Sequence, residues 1–98
     1  MTFYFRGQYI PIMTEKLNDN IIMFDFGIWI HQDKKRERYY ISIEYVKNTG
    51  KWTPSVVWEH DELYLSDLPY KEQCEYITMK ELNALYNEIQ KELIENKI

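Results

Sequence analysis

A histidine lies among carboxylates in the stretch Trp58–Glu62, where the side chains come nearest to a recognisable catalytic or metal-binding pattern. His60 is flanked by Glu59 and Asp61, and such a group can hold a hard metal ion or supply a general base. At a strand end, however, adjacent side chains point to opposite faces of the sheet. We therefore expect these groups not to converge, and the sequence predicts neither an enzyme nor a cofactor.

The other potential nucleophiles stand in no catalytic context. Cys74 is the only cysteine, which excludes an internal disulfide and a Cys-x-x-Cys motif. The serines lack the glycine-flanked setting of a nucleophile elbow, and no glycine-rich loop is available to cradle a phosphate. With no disulfide, no export signal and no long apolar stretch, the expected location is the cytoplasm, without membrane attachment.

Carboxylates are concentrated in the second half of the sequence. The 98 residues carry a net charge of −4, divided into +2 over residues 1–52 and −6 over residues 53–98. On a helical projection, four glutamates fall within about 60° of arc: Glu81, Glu88, Glu92 and Glu95. Asp61 and Glu62 can extend this negative field. Because Glu88 and Glu92 repel each other one turn apart, the stripe favours contact with a basic partner, and a solvated surface is the alternative.

Basic side chains cluster between two predicted strands, at Lys34, Lys35, Arg36 and Arg38. A basic hairpin tip can contact phosphates and gain affinity from the release of counterions. Asp33 and Glu37 reduce the local charge to +2, and the whole chain is acidic. Direct nucleic-acid binding by these four residues is therefore an alternative function, beside the simpler interpretation of a solvated turn.

Two segments with strict alternation of apolar side chains predict the centre of the fold. The first is Ile21–His31 and the second is Tyr39–Val46, joined by the polar stretch Gln32–Arg38. The apolar set is even-numbered in the first segment and odd-numbered in the second. Cross-strand partners must therefore have numbers that add up to an odd total, and the hairpin loop must have an even length.

Shorter runs complete the predicted sheet. Thr2–Phe5 and Tyr9–Met13 are expected to form a hairpin or a bent strand, and Pro11 suits an edge. Trp52–Glu59 is expected to be a third strand of the meander, followed by a short strand over Glu62–Leu65.

A helix is predicted near the C-terminus. Thr78 is followed by Glu81, the spacing of a capping box, and apolar residues then recur at helical spacing. We expect one α+β domain over residues 1–98. It would have an antiparallel meander of four or five strands in 2–65, a connecting segment in 66–77 and a C-terminal helix in 78–96 packed across one face.

Aromatic residues make up 16% of the chain, and two of them fall on the sheet face opposite to the predicted helix. Trp29 and Tyr40 belong to this face, and such side chains bring a large contact area to interfaces at little entropic cost. If the N-terminal strands leave the face open, it would bind a partner or a second copy of the chain.

Together these features favour a small acidic protein that binds a protein partner with a basic surface. The leading interpretation is an inhibitor encoded by a phage or mobile element, acting on a nucleic-acid-processing or defence enzyme as anti-CRISPR proteins do. In that mechanism the acidic flank of the helix contacts a basic channel, and aromatic anchors supply most of the affinity. An immunity protein that neutralises a toxin is the alternative within the same class.

Overall fold

The computed structural model describes residues 1–32, 35–59 and 61–96, which form two antiparallel sheets and two α-helices. The first sheet pairs β1 (Thr2–Phe5) with β2 (Gln8–Pro11). The second is a five-stranded meander in chain order: β3 (Met13–Lys16), β4 (Ile21–Gln32), β5 (Lys35–Val46), β6 (Lys51–Trp58) and β7 (Asp61–Tyr64). A 3-10 turn (Leu65–Asp67), α1 (Tyr70–Tyr76) and α2 (Met79–Asn96) follow. The predicted α+β meander with a C-terminal helix is confirmed.

The hairpin of β4 and β5 has the predicted register and is longer than predicted. Phe24 lies opposite Ile43, so the partner numbers add up to an odd total. The ladder continues to Gln32 opposite Lys35, which corrects the expected polar connection Gln32–Arg38. Most of that stretch belongs to the strands, because both faces of the hairpin end can carry polar side chains in water without breaking the backbone ladder.

The core lies on the even-numbered face of β4. Ile22, Phe24, Phe26 and Ile28 are buried there, and α2 covers them with Leu82, Leu85 and Ile89. Burial of one such side chain contributes about 1.5–3 kcal/mol. The helix therefore packs across one face of the sheet, as its spacing of apolar residues predicts.

The N-terminal hairpin packs on this same core face, beside α2. The rings of Phe3 and Phe5 meet the ring of Phe26 edge to face, with centroids 5.9 and 5.6 Å apart. Of the two outcomes left open by the sequence, the hairpin therefore takes the one that leaves the Trp29 and Tyr40 face uncovered.

The segment between the sheet and α2 is ordered into a helix that the sequence pattern did not predict. Pro69 precedes α1, which buries Gln73 and Tyr76. The ring of Tyr76 meets that of Tyr39 at 5.5 Å. Seven residues span fewer than two helical turns, too few for a hydrophobic period to be recognised.

The start of α2 has the predicted capping box. The backbone N–H of Thr78 donates to Oε1 of Glu81 at 2.8 Å, and the N–H of Glu81 donates to Oγ1 of Thr78 at 3.2 Å. No helix in the described part of the chain has both the length and the apolar character needed to cross a membrane.

Candidate functional site

Arg38 lies between two aromatic rings on the sheet face opposite to the core, which carries the odd-numbered residues of β4 and the even-numbered residues of β5. Its Cζ lies 5.1 Å from the ring centroid of Trp29 and 5.4 Å from that of Tyr40. Trp29 is paired directly opposite Arg38, whereas Tyr40 is paired opposite Gly27. The guanidinium thus lies across the sheet over Gly27, in a position that favours a cation–π interaction with each ring. We call Trp29, Arg38 and Tyr40 the Arg38 face.

The Arg38 face is open to solvent. Trp29 is 47% exposed and Tyr40 is 37% exposed, although both belong to central strands. Both α2 and the N-terminal hairpin pack on the opposite, core face of the sheet. Among the residues that the structure describes, Arg38 has no carboxylate within salt-bridge distance.

A cavity of about 370 Å³ adjoins the Arg38 face. It lies between β2, at Gln8–Pro11, and β4, at Gly27–Trp29, and its wall includes Arg6 and Arg38. Among the lining residues that the structure describes there is no aspartate or glutamate. The site combines aromatic surface, strand backbone and positive charge, and this combination suits recognition of an anionic group.

Glu81 has an internal partner that the sequence pattern did not reveal. Nε and Nη2 of Arg6 donate to its two carboxylate oxygens at 2.9 and 3.0 Å. Arg6 also donates to the backbone carbonyls of Cys74 and Glu75, each at 3.3 Å. Arg6 thus matches the charge of Glu81 and hydrogen-bonds both of its carboxylate oxygens, whereas the place of Glu81 in a partner-binding stripe stays a prediction.

The pKa of Glu81 is lowered from its ordinary value. Partial burial of the carboxyl group raises the pKa, but hydrogen bonds from Arg6 and Thr78 favour the ionised form and outweigh that effect. Arg6 has a positive φ of 48°, which is unfavourable for a residue with a side chain. Its bonds to Glu81 and to the end of α1 compensate for this strain and attach the N-terminal hairpin to the start of α2.

The other predicted acidic residues stay on the surface. Glu88, Glu92 and Glu95 line a shallow depression of about 310 Å³ beside the start of β1, where Lys91 lies 3.5 Å from Glu88. Asp61 and Glu62 are exposed on the edge strand β7 and share no element with them. Because α2 covers the core face, its acidic surface and the Arg38 face lie on opposite sides of the sheet.

The structure describes the predicted basic cluster only in part. Lys35, Arg36 and Arg38 belong to strand β5, and Lys34 lies outside the described residues. Arg38 is the member whose side-chain contacts the structure defines, and it joins the aromatic residues of the sheet. The basic cluster and the aromatic face, which the sequence presented as separate candidate surfaces, therefore share Arg38.

The groups considered for catalysis or metal binding do not form a site in the described part of the chain. His60 lies outside it, and within it no three His, Cys, Asp or Glu side chains are arranged to hold a metal ion. Cys74 is half-buried on α1, where its hydrogen bond with Tyr70 raises the pKa of that phenol.

Comparisons with models of protein families, with curated proteins and with solved structures find no match to this chain. The Arg38 face and the acidic surface of α2 are therefore the features on which a functional assignment depends.

Proposed function

We propose that this chain acts by binding another protein through the Arg38 face. The observation that supports the proposal is the exposed stack of Arg38 between Trp29 and Tyr40 on the central hairpin of β4 and β5. Tryptophan, tyrosine and arginine are the residues that most often dominate the binding energy of protein interfaces. Because Arg38 has no acidic partner among the described residues, the bound protein is expected to place a carboxylate against it.

A second candidate function is inhibition through the acidic surface of α2. Glu88, Glu92 and Glu95 would then contact the basic channel of a nucleic-acid-processing or defence enzyme, as an anti-CRISPR-like protein from a phage or mobile element would do. A toxin-neutralising immunity protein would use the same charge complementarity. The observation that favours this class is the glutamate cluster on the surface of α2, which lines a shallow depression where Lys91 lies 3.5 Å from Glu88. Either function is proposed for a cytoplasmic protein.

The two candidates are separated by purifying tagged variants from the native host at moderate salt and identifying the retained proteins by mass spectrometry. One variant carries Trp29→Ala and Tyr40→Ala, and a second carries Glu88→Gln, Glu92→Gln and Glu95→Gln. Tyr70→Ala serves as the matched control, because this tyrosine is 68% exposed on α1, away from both surfaces.

We expect the first variant to lose a stoichiometric partner that the wild-type chain, the glutamine variant and Tyr70→Ala retain. Loss of two hot-spot side chains should weaken binding by about 30-fold or more. Loss only in the glutamine variant would instead establish the acidic surface as the binding site. A homodimer in sedimentation that dissociates in the first variant would assign the Arg38 face to self-association.

A further inference from the structure

The hydrogen-bonded ladder between β3 and β4 ends at Met13 and Asp25, whereas β4 continues to Gln32. The N–H of Leu17 donates to the carbonyl of Ile21 at 3.0 Å, which sets the odd-numbered residues of the two strands as hydrogen-bonded pairs. The last described pair joins Met13 to Asp25. Gly27 lies two residues farther along β4, so its N–H and C=O point to the edge of β4 that faces β3. The strand β2 lies beyond the end of β3 on this side and is not a hydrogen-bonded neighbour of β4.

The strand β2 presents a matching edge to this gap. The N–H of Ile12 donates to the carbonyl of Met1 at 2.8 Å, which sets the even-numbered residues of β2 toward β1. The backbone groups of Tyr9 and Pro11 consequently point away from β1. Continuing the β3–β4 register places Pro11 opposite Gly27. Proline has no N–H to donate, so this pair can form only one of the two backbone hydrogen bonds of an antiparallel pair.

The gap between these edges is the cavity of about 370 Å³ beside the Arg38 face. A separation that leaves a strand edge open is a template for another extended segment. Arg6 and Arg38 line the cavity, and no acidic residue is among the described residues of its lining. Arg6 is already neutralised by Glu81, so Arg38 supplies the positive charge that remains for a ligand.

We infer that this cavity binds an extended acidic segment of a partner protein, which adds to the edge of β4 beyond Gly27, toward Trp29, and places a carboxylate against Arg38. Strand addition supplies the main-chain hydrogen bonds, and the charged hydrogen bond selects the acidic side chain. The inference rests on the proposed function for its partner. A peptide fits better than a nucleic acid, because strand edges offer donors and acceptors in the order that a peptide backbone matches, and the chain's net charge is −4.

The test uses the full, ¹⁵N-labelled chain and three synthetic peptides. The first is acetyl-Thr-Val-Asp-Val-Thr-amide, the second replaces Asp by Asn, and the third carries N-methyl groups on both valines. Addition of the Asp peptide should shift the amide signals of Gly27 and Tyr9 and the Nε–H signal of Arg38, and the shifts should saturate. The Asn peptide should bind at least about tenfold more weakly, because it loses a charged hydrogen bond. The N-methyl peptide should bind about fivefold more weakly, because it loses backbone donors.

Variants of the chain locate the charge. Arg38→Gln should abolish the difference between the Asp and Asn peptides, whereas Lys51→Gln, an equal loss of charge on the exposed start of β6, should preserve it. Equal binding of the Asp and Asn peptides, no saturable binding, or shifts confined to other surfaces would overturn the inference. Oligothymidylate that binds at Arg38 in place of the peptides would also overturn it.

Failure of this inference and failure of the proposed function give different results. One result would be that the Trp29→Ala, Tyr40→Ala variant loses its partner protein but the wild-type chain binds none of the peptides. That result overturns only the strand-addition inference. A second result would be that the peptide binds at Gly27 while both variants of the proposed-function experiment retain the partner protein. That result supports the cavity as a peptide site and overturns the assignment of the Arg38 face.

Discussion

The guanidinium of Arg38 occupies the space into which a side chain at Gly27 would project. A Cβ atom placed on Gly27 would lie 2.6 Å from both Cζ and Nε of Arg38, closer than real contacts allow. Glycine weakens the interior of a strand and is retained there where another group must approach the backbone closely. The absence of a side chain at Gly27 thus permits Arg38 to lie flat between Trp29 and Tyr40.

Replacing Gly27 by alanine should displace Arg38 while changing the free energy of unfolding by less than about 0.5 kcal/mol, because the colliding group is the end of a flexible side chain. The Hδ protons of Arg38, shifted by the ring currents of Trp29 and Tyr40, should move toward the values of an unstacked arginine in NMR spectra. Gly50→Ala is the matched control. Gly50 has a φ of 68°, so this substitution should lower the free energy of unfolding by about 1 kcal/mol. It should leave the Arg38 signals unchanged. Unmoved signals in Gly27→Ala would contradict the role given to this glycine.

Replacing Arg6 by glutamine should destabilise the chain by about 1–2 kcal/mol, because a two-pronged ion pair and two bonds to carbonyls are lost together. Thermal unfolding followed by circular dichroism measures the change. Lys91→Gln, which breaks the exposed pair with Glu88, is the control and should cost less than about 0.5 kcal/mol. Equal effects of the two substitutions would mean that Arg6 does not attach the hairpin to α2.

The hydrogen bonds that Glu81 accepts should make the free energy of unfolding depend on pH in the acid range. Since its folded pKa is lowered, its contribution is complete above the ordinary glutamate pKa of about 4.3 and is lost as the pH falls through the folded value. The stability difference between the wild-type chain and Glu81→Gln should therefore be constant near neutral pH and shrink below about pH 4. Denaturant unfolding at a series of pH values measures it, and a difference independent of pH would exclude this linkage.

Tyr86 should be a late-ionising tyrosine. Burial against the ring of Trp52, at 4.9 Å, raises its pKa to about 12. Because the folded pKa exceeds the ordinary value near 10, its contribution is complete below about pH 10 and is lost as the pH rises through the folded value. Titration by absorbance near 295 nm should show a late phase that Tyr86→Phe removes. A late phase that persists in this variant would belong to another of the nine tyrosines.

Replacing Glu59 by glycine should stabilise the chain by about 0.5–1 kcal/mol. Glu59 follows Trp58, which pairs with Asp61, and has a φ of 50°, a left-handed conformation that costs a residue with a side chain about 1–2 kcal/mol. Part of the gain is offset by the greater freedom of glycine in the unfolded chain. Glu62→Gly in strand β7 is the control, and its midpoint of thermal unfolding should fall. A lower midpoint for Glu59→Gly would contradict the prediction.

Local patterns were sufficient for the central hairpin and for the start of α2. The even-numbered apolar set of β4 and the odd-numbered set of β5 allow only a register with odd totals, because any one-residue slip would turn Phe24 to water. The capping box of Thr78 and Glu81 is likewise complete within four residues. Such features are predictable because the groups that stabilise them are close in sequence.

The candidate site depended on contacts that no local pattern contains. Glu81 looks like a member of an exposed stripe until the fold brings it to Arg6, 75 residues away in the sequence. Arg38 looks like part of a basic turn until the longer ladder places it opposite Trp29 and over Gly27. Residue types and their periodicity determined the sheet, its register and the helix on its core face. The tertiary structure decided which of the described charges are matched within the chain, because that depends on distances between side chains far apart in the sequence.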